Sequence, residues 1–123
     1  MGRILIIDDE PGIRLFFSDV LTEQGYRVSE APSGAVALKL LSREPFDMVI
    51  MDIDLRSENG PRLLERLVAE YPRLPIIVCS TSCSFADDPL AQLAKSSIVK
   101  SCDPGELLRE IRRILSDQPT MAR

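Results

Sequence analysis

A chain of 123 residues has room for one ordinary domain, which excludes a multi-domain enzyme with a separate substrate lobe within this sequence. At 45% hydrophobic and 28% charged it has the composition of a globular domain that can bury a sizeable core, neither disordered nor fibrous. Fifteen Lys and Arg against nineteen Asp and Glu give a net charge of −4, so direct nucleic-acid binding, which needs a basic face, is not expected.

Apolar runs of strand length recur along the chain at residues 3–8, 26–31, 46–52, 75–80 and 97–100, and segments of helical period separate them. After the first run, Ile13, Phe16, Phe17, Val20 and Leu21 follow helical spacing, and Gly25 ends that helix. Ser33 can cap a second helix carrying Val36, Leu40 and Leu41. Gly60 and Pro61 open a third, with Leu63, Leu64, Leu67 and Val68 facing inward and Arg62, Glu65, Arg66 and Glu70 facing water. Asp87, Asp88 and Pro89 can start only a short fourth helix running to about residue 95, and mobility is expected around residues 82–88. Asp103, Pro104 and Glu106 mark the start of the last helix as N-cap, first-turn proline and acid, and Leu107, Leu108, Ile111, Ile114 and Leu115 form its buried stripe.

Five strand–helix alternations, with the first, third and fourth strands nearly continuous in Ile, Val, Leu and Met, imply an α/β fold with a parallel sheet covered on both faces. Right-handed crossovers make it doubly wound, a flavodoxin-like (βα)5 architecture with strand order 2-1-3-4-5. The domain is expected to occupy residues 1–117, with 118–123 a tail or the start of a linker. The longest apolar run is Ile4 to Ile7 and no charged-then-apolar leader precedes it, so signal-peptide and membrane-span readings fail and a cytoplasmic location is expected. Three cysteines, Cys79, Cys83 and Cys102, do not make a disulfide framework; Cys79 reads as a small core residue. The chain has no histidine, which excludes Ser-His and Cys-His catalysis, the common zinc ligand sets and a phosphohistidine of its own.

In such a sheet the ligand crevice lies beyond the carboxyl ends of the strands, where Asp8, Asp9, Asp52, Ser80 and Lys100 fall together. Converging carboxylates without an intervening base repel one another, and a divalent cation is the economical way to neutralise them. All-oxygen ligands favour a hard ion, magnesium over zinc. Lys100 and the Ser80 hydroxyl suit an anion. Taken singly, each acid could simply be solvated, and Asp9 ahead of Glu10 and Pro11 could cap the first helix.

Residues 5–11 (Leu-Ile-Ile-Asp-Asp-Glu-Pro), Met48-Val49-Ile50-Met51-Asp52 with Gly60 eight residues on, the 75–80 run ending Cys79-Ser80, and Ile98-Val99-Lys100 together resemble the receiver domain of bacterial two-component response regulators. The resemblance covers essentially the whole chain. It implies that Asp52 accepts a phosphoryl group from the phosphohistidine of a histidine kinase or phosphotransfer protein, with Mg2+ (Mn2+ may substitute) held directly by Asp9 and Asp52, through water by Asp8, and by the backbone carbonyl of Asp54. Ser80 and Lys100 would bind the phosphoryl group, and Ser80 would draw the loop after strand four and so change the surface around it. It also implies a homodimer surface through helix four, strand five and helix five; for Arg109, Arg112 and Arg113 a solvated helix face is the commoner explanation.

The chain departs from the family pattern at several positions. Arg56 stands where a proline usually follows the acceptor by four residues, Ser80 replaces the commoner threonine, Ser97 occupies the aromatic switch position, and Ser101 follows the lysine in place of proline, so the bond before it is expected to be trans. Two other classes of function fit the sequence less well: a pseudo-receiver that only binds partners, opposed by the filled chemical positions, and a flavin or nucleotide enzyme, opposed by the absence of a Gly-rich loop after strand one, where Asp9 and Glu10 would repel phosphate.

Overall fold

The apolar runs bounded by turn residues become strands, and the computed structural model, which describes residues 2–80, 88–99 and 104–116, places all five in one parallel sheet. These are β1 (Arg3–Ile7), β2 (Arg27–Ala31), β3 (Met48–Asp52), β4 (Ile76–Ser80) and β5 (Ser96–Val99). Their order, β2-β1-β3-β4-β5, is the doubly wound order expected. Strand three starts at Met48 rather than residue 46. Asp47 forms the corner there: its carboxylate accepts the Arg3 N–H at 2.8 Å while its own N–H donates to the Arg3 carbonyl at 2.8 Å.

Among the described residues four α-helices cover the sheet: α1 (Pro11–Glu23), α2 (Gly34–Arg43), α3 (Gly60–Glu70) and α4 (Pro104–Ser116). Ser33 caps α2 as expected, its Oγ accepting the Val36 N–H at 3.3 Å. The cap of α3 is Asn59, whose Oδ1 accepts the Arg62 N–H at 3.0 Å, with Pro61 in the first turn, where a missing N–H costs nothing. The short fourth helix is a 3-10 turn at Pro89–Leu93, with the Asp88 carboxylate accepting the Leu90 N–H at 2.9 Å. It stops short of the expected residue 95 because the Lys95 N–H already donates to the Ile76 carbonyl at 2.8 Å, at the start of the β4–β5 ladder.

Strand alternation divides the core. Leu5, Ile7, Val49, Met51, Ile76 and Val78 point to one face and pack with α2 and α3 through Ala37, Leu41, Leu63, Leu64 and Leu67. Ile4, Ile6, Met48, Ile50, Ile77 and Cys79 point to the other and meet Phe17, Leu21, Leu107, Ile111 and Ile114 of α1 and α4. Cys79 is thus a core residue, as expected, while Cys83 and Cys102 lie outside the described residues. Two stripe positions differ from expectation. Phe17 and Leu21 centre the buried face of α1, which turns Phe16 to its margin at 50% exposure with its ring tilted against Phe17. In α2 the inward positions are Ala37 and Leu41, and Val36 is exposed. Among the described residues no helix is long and apolar enough to cross a membrane.

Two glycines are required by geometry. Gly25 follows α1 at φ 93°, in the left-handed region. At Gly60 a Cβ would clash with the Ile53 carbonyl oxygen, because the first turn of α3 is pressed against the chain leaving β3. Gly60→Ala is therefore expected to destabilise the domain by about 1–3 kcal/mol through overpacking against backbone that cannot move aside. Urea unfolding checks this, and an unchanged midpoint would show that the loop shifts freely.

On the surface of α4, Glu110 accepts hydrogen bonds from Arg113 (2.8 Å) and from the Ser96 hydroxyl of β5 (2.9 Å). These bonds, the Arg113 pair first, hold its carboxyl below the usual carboxylate range against the opposing effect of burial. A depressed folded-state value contributes stability above the ordinary value and loses it as pH falls through the depressed one. Glu110→Gln should cost about 0.2–1 kcal/mol near neutral pH. The difference from wild type should shrink as urea midpoints are followed below pH 4.

Candidate functional site

The parallel register decides which acids meet. Ile7 of β1 pairs with Met51 of β3, so the next residues, Asp8 and Asp52, leave adjacent strands side by side. Both are 2% exposed. Asp52 in turn pairs with Cys79, which puts Ser80, 6% exposed, one residue beyond the acids on β4.

Each buried aspartate is oriented by its own loop. The Glu10 N–H donates to Asp8 Oδ1 and the Asp54 N–H to Asp52 Oδ1, both at 2.9 Å, the same reach two residues back in each case. Arg14 of α1 donates through Nη1 to the Asp8 carbonyl at 2.6 Å and through Nε to Glu30 Oε1 of β2 at 3.3 Å. The β1–α1 loop is thereby fixed to the sheet edge.

Carboxylate oxygens of Asp8, Glu10 and Asp52 all lie within 4.8 Å of one another. Asp9 stands beside this group rather than in it. Its Oδ2 accepts the Arg56 N–H at 2.6 Å, and its Oδ1 is buried with no hydrogen-bond partner among the described residues. Asp9 does not cap α1, whose N-cap position is Glu10, with no side-chain cap bond. Among the described residues, then, the structure brings Asp8 and Asp52 together as the sequence implied and adds Glu10, which the sequence reading treated only as a charge repelling phosphate. The available signal was the run of three acids ahead of Pro11, since a proline at the first helical position leaves the residue before it on the helix rim. Asp54 presents its N–H to Asp52, and its side chain is exposed. Ser97 is exposed on β5, opposite Val78. Lys100, Ser101 and the peptide bond between them lie outside the described residues, as does most of the 82–88 segment.

All-oxygen donors, three of them mutually close, and a buried carboxylate oxygen with no hydrogen-bond partner among the described residues form a donor set that fits a hard divalent ion. A model of the response regulator receiver domain matches residues 4–112. The chain belongs to that family. This receiver domain is 36% identical over 108 residues to the alginate biosynthesis transcriptional regulatory protein AlgB of Pseudomonas putida, covering 86% of this chain and 24% of that protein. It therefore spans about a quarter of the length of the curated relatives it matches. The response regulator TrrA of Thermotoga maritima, solved in complex with Mg2+-BeF, superposes with a TM-score of 0.87 at 30% identity, over 93% of this chain and 99% of that one. A structure of the histidine kinase ThkA in complex with TrrA gives a TM-score of 0.86 at 30% identity, over 94% and 99%. As a receiver domain the chain serves two-component signalling, in which phosphoryl acceptance is the domain's standard function.

Like charges at these separations repel by about 1–3 kcal/mol at the dielectric of a partly wet site. Asp8→Asn keeps the Oδ1 acceptor for Glu10 and removes one charge. The ion-free domain should melt at higher temperature than wild type, and the further rise on adding Mg2+ should be largely lost. Calorimetric melts with EDTA and with Mg2+ test both halves; an undiminished Mg2+ response would exclude Asp8 from the ion's surroundings.

Proposed function

We propose that this receiver domain takes a phosphoryl group onto Asp52 in a reaction that needs a divalent ion, Mg2+ with Mn2+ able to replace it. The observation that carries the reading is the burial of Asp52 within 4.8 Å of the Asp8 and Glu10 carboxylates at the carboxyl edge of the sheet. Asp8, Asp9, Glu10 and Asp52, with the Asp54 carbonyl, would hold the ion. When bound, such an ion offsets the charge spread over the equatorial phosphoryl oxygens and the repulsion among the acids.

The protein's own residues do the rest. The Asp54 N–H holds Asp52 Oδ1 and so helps orient the carboxylate that would attack phosphorus in line. The new bond is carboxylate oxygen to phosphorus; the bond that breaks joins phosphorus to the donor nitrogen, which keeps the electron pair. The Ser80 hydroxyl donates to the acyl phosphate and Lys100 supplies a cation, both roles carried over from the sequence. Hydrolysis of the acyl phosphate at the same site resets the domain. With a serine at position 97, that position supplies no ring to bury beside Ser80, so the response would be led by the backbone that follows Ser80. The partner is a histidine kinase or phosphotransfer protein in the cytoplasm, a reading supported by the kinase complex of the similar regulator TrrA.

Incubation with acetyl phosphate and Mg2+ followed by intact-mass and peptide analysis is the test. A mass increase of one phosphoryl group on the peptide carrying Asp52 is expected, absent with EDTA and absent in Asp52→Asn. Equal labelling of wild type and Asp52→Asn would refute the assignment.

A further inference from the structure

We propose that Arg56 is a positioning residue for the acid site and that it acts through its backbone N–H rather than its side chain, an inference that rests on the reading of Asp9 as a ligand to the divalent ion. The Arg56 N–H meets Asp9 Oδ2 at 2.6 Å across 47 residues of chain, while Asp9 Oδ1 has no hydrogen-bond partner among the described residues. Such a short charge-assisted bond joins the β1–α1 loop to the β3–α3 loop directly across the site. It settles which oxygen of Asp9 is committed. Oδ2 is taken by the N–H, and Oδ1, buried and without a hydrogen-bond partner, is the oxygen left to offer.

The side chain of Arg56 contributes far less. Its guanidinium lies 3.8 Å from Glu10 Oε1 but is 80% exposed, so water and salt screen that pair. The two parts of Arg56 therefore do different work: the backbone N–H orders Asp9, while the guanidinium makes only a screened, exposed pair with Glu10. Arg56 stands where the sequence pattern has a proline, and proline has no N–H to give. A carboxylate held in one rotamer before the ion arrives loses less freedom when the ion binds, so the tether raises affinity.

Separating the two parts of Arg56 tests the proposal. Free Mn2+ is followed by electron paramagnetic resonance during titration of wild type, Arg56→Ala, Arg56→Pro, Asp9→Asn, and the double variant Asp9→Asn with Arg56→Pro. Arg56→Ala keeps the N–H and should bind within about twofold of wild type, as expected for loss of an exposed pair. Arg56→Pro should weaken binding about tenfold, the usual effect of removing a group that orients a ligand. In the Asp9→Asn background, Arg56→Pro should add nothing. Equal affinities for the Ala and Pro variants, tighter binding by the Pro variant, or an undiminished Pro effect in the Asp9→Asn background would each overturn the proposal. Wild-type affinity in Asp9→Asn would instead remove the premise, a separate result that also ends the proposal. Amide exchange gives a reading that does not depend on Arg56→Pro folding: protection of the Arg56 N–H should fall at least about tenfold in Asp9→Ala, because its acceptor is gone. Unchanged protection there would show that the tether is not made in solution.

Discussion

Two aspartates that leave adjacent parallel strands in the same row, each almost fully buried, are the constraint from which the rest of this site follows. Carboxylates so placed lose hydration and repel one another, and a fold that brings them together must supply donors and a counter-charge. The donors are local and come in matched form, the N–H two residues ahead reaching back to Oδ1 in both the Asp8 and the Asp52 loops. Arg14 holds the carbonyl of Asp8 and pairs with Glu30, so the loop cannot swing its acids apart to relieve the repulsion. The fold thereby gathers acids that could hold a metal ion, whose charge would relieve the repulsion among them.

The scaffold behind that constraint is stiff where it needs to be. Sheet strands β1, β3 and β4 carry buried side chains on both faces, and the α2/α3 and α1/α4 layers pin them from either side. The loop from β3 into α3 is confined by the contact of Gly60 with the Ile53 carbonyl and by the Asn59 cap, which places Arg56 opposite Asp9. A ligand loop ordered by backbone contacts can keep its acids within range of each other even though several of its side chains are exposed.

The departures from the family pattern leave Asp8, Asp9 and Asp52 in place. Serine at position 97 is exposed and offers a hydroxyl where a ring would offer a large apolar surface. Arginine at position 56 exchanges a stiff residue without a donor for a residue whose N–H ties two loops together.

The five-fold alternation of apolar runs and helical stripes was enough to read the doubly wound sheet and its strand order, since continuous Ile, Val and Leu in strands one, three and four only make sense buried on both faces. That Asp8, Asp52 and Ser80 meet at one edge was legible for the same reason: strand ends in such a sheet share it. What the linear pattern could not decide was the partnership of individual oxygens. Asp8, Asp9 and Glu10 are consecutive acids, and only the turn into α1 separates them, sending Glu10 toward Asp52 while Asp9 takes the Arg56 N–H. Likewise Phe16 and Phe17 share one stripe in sequence, and only the tilt of α1 on the sheet buries one ring and leaves the other half exposed. Periodicity records which face of an element is apolar, because burial repeats with the backbone; a contact between residues 47 positions apart leaves no period, and the folded chain alone determines it.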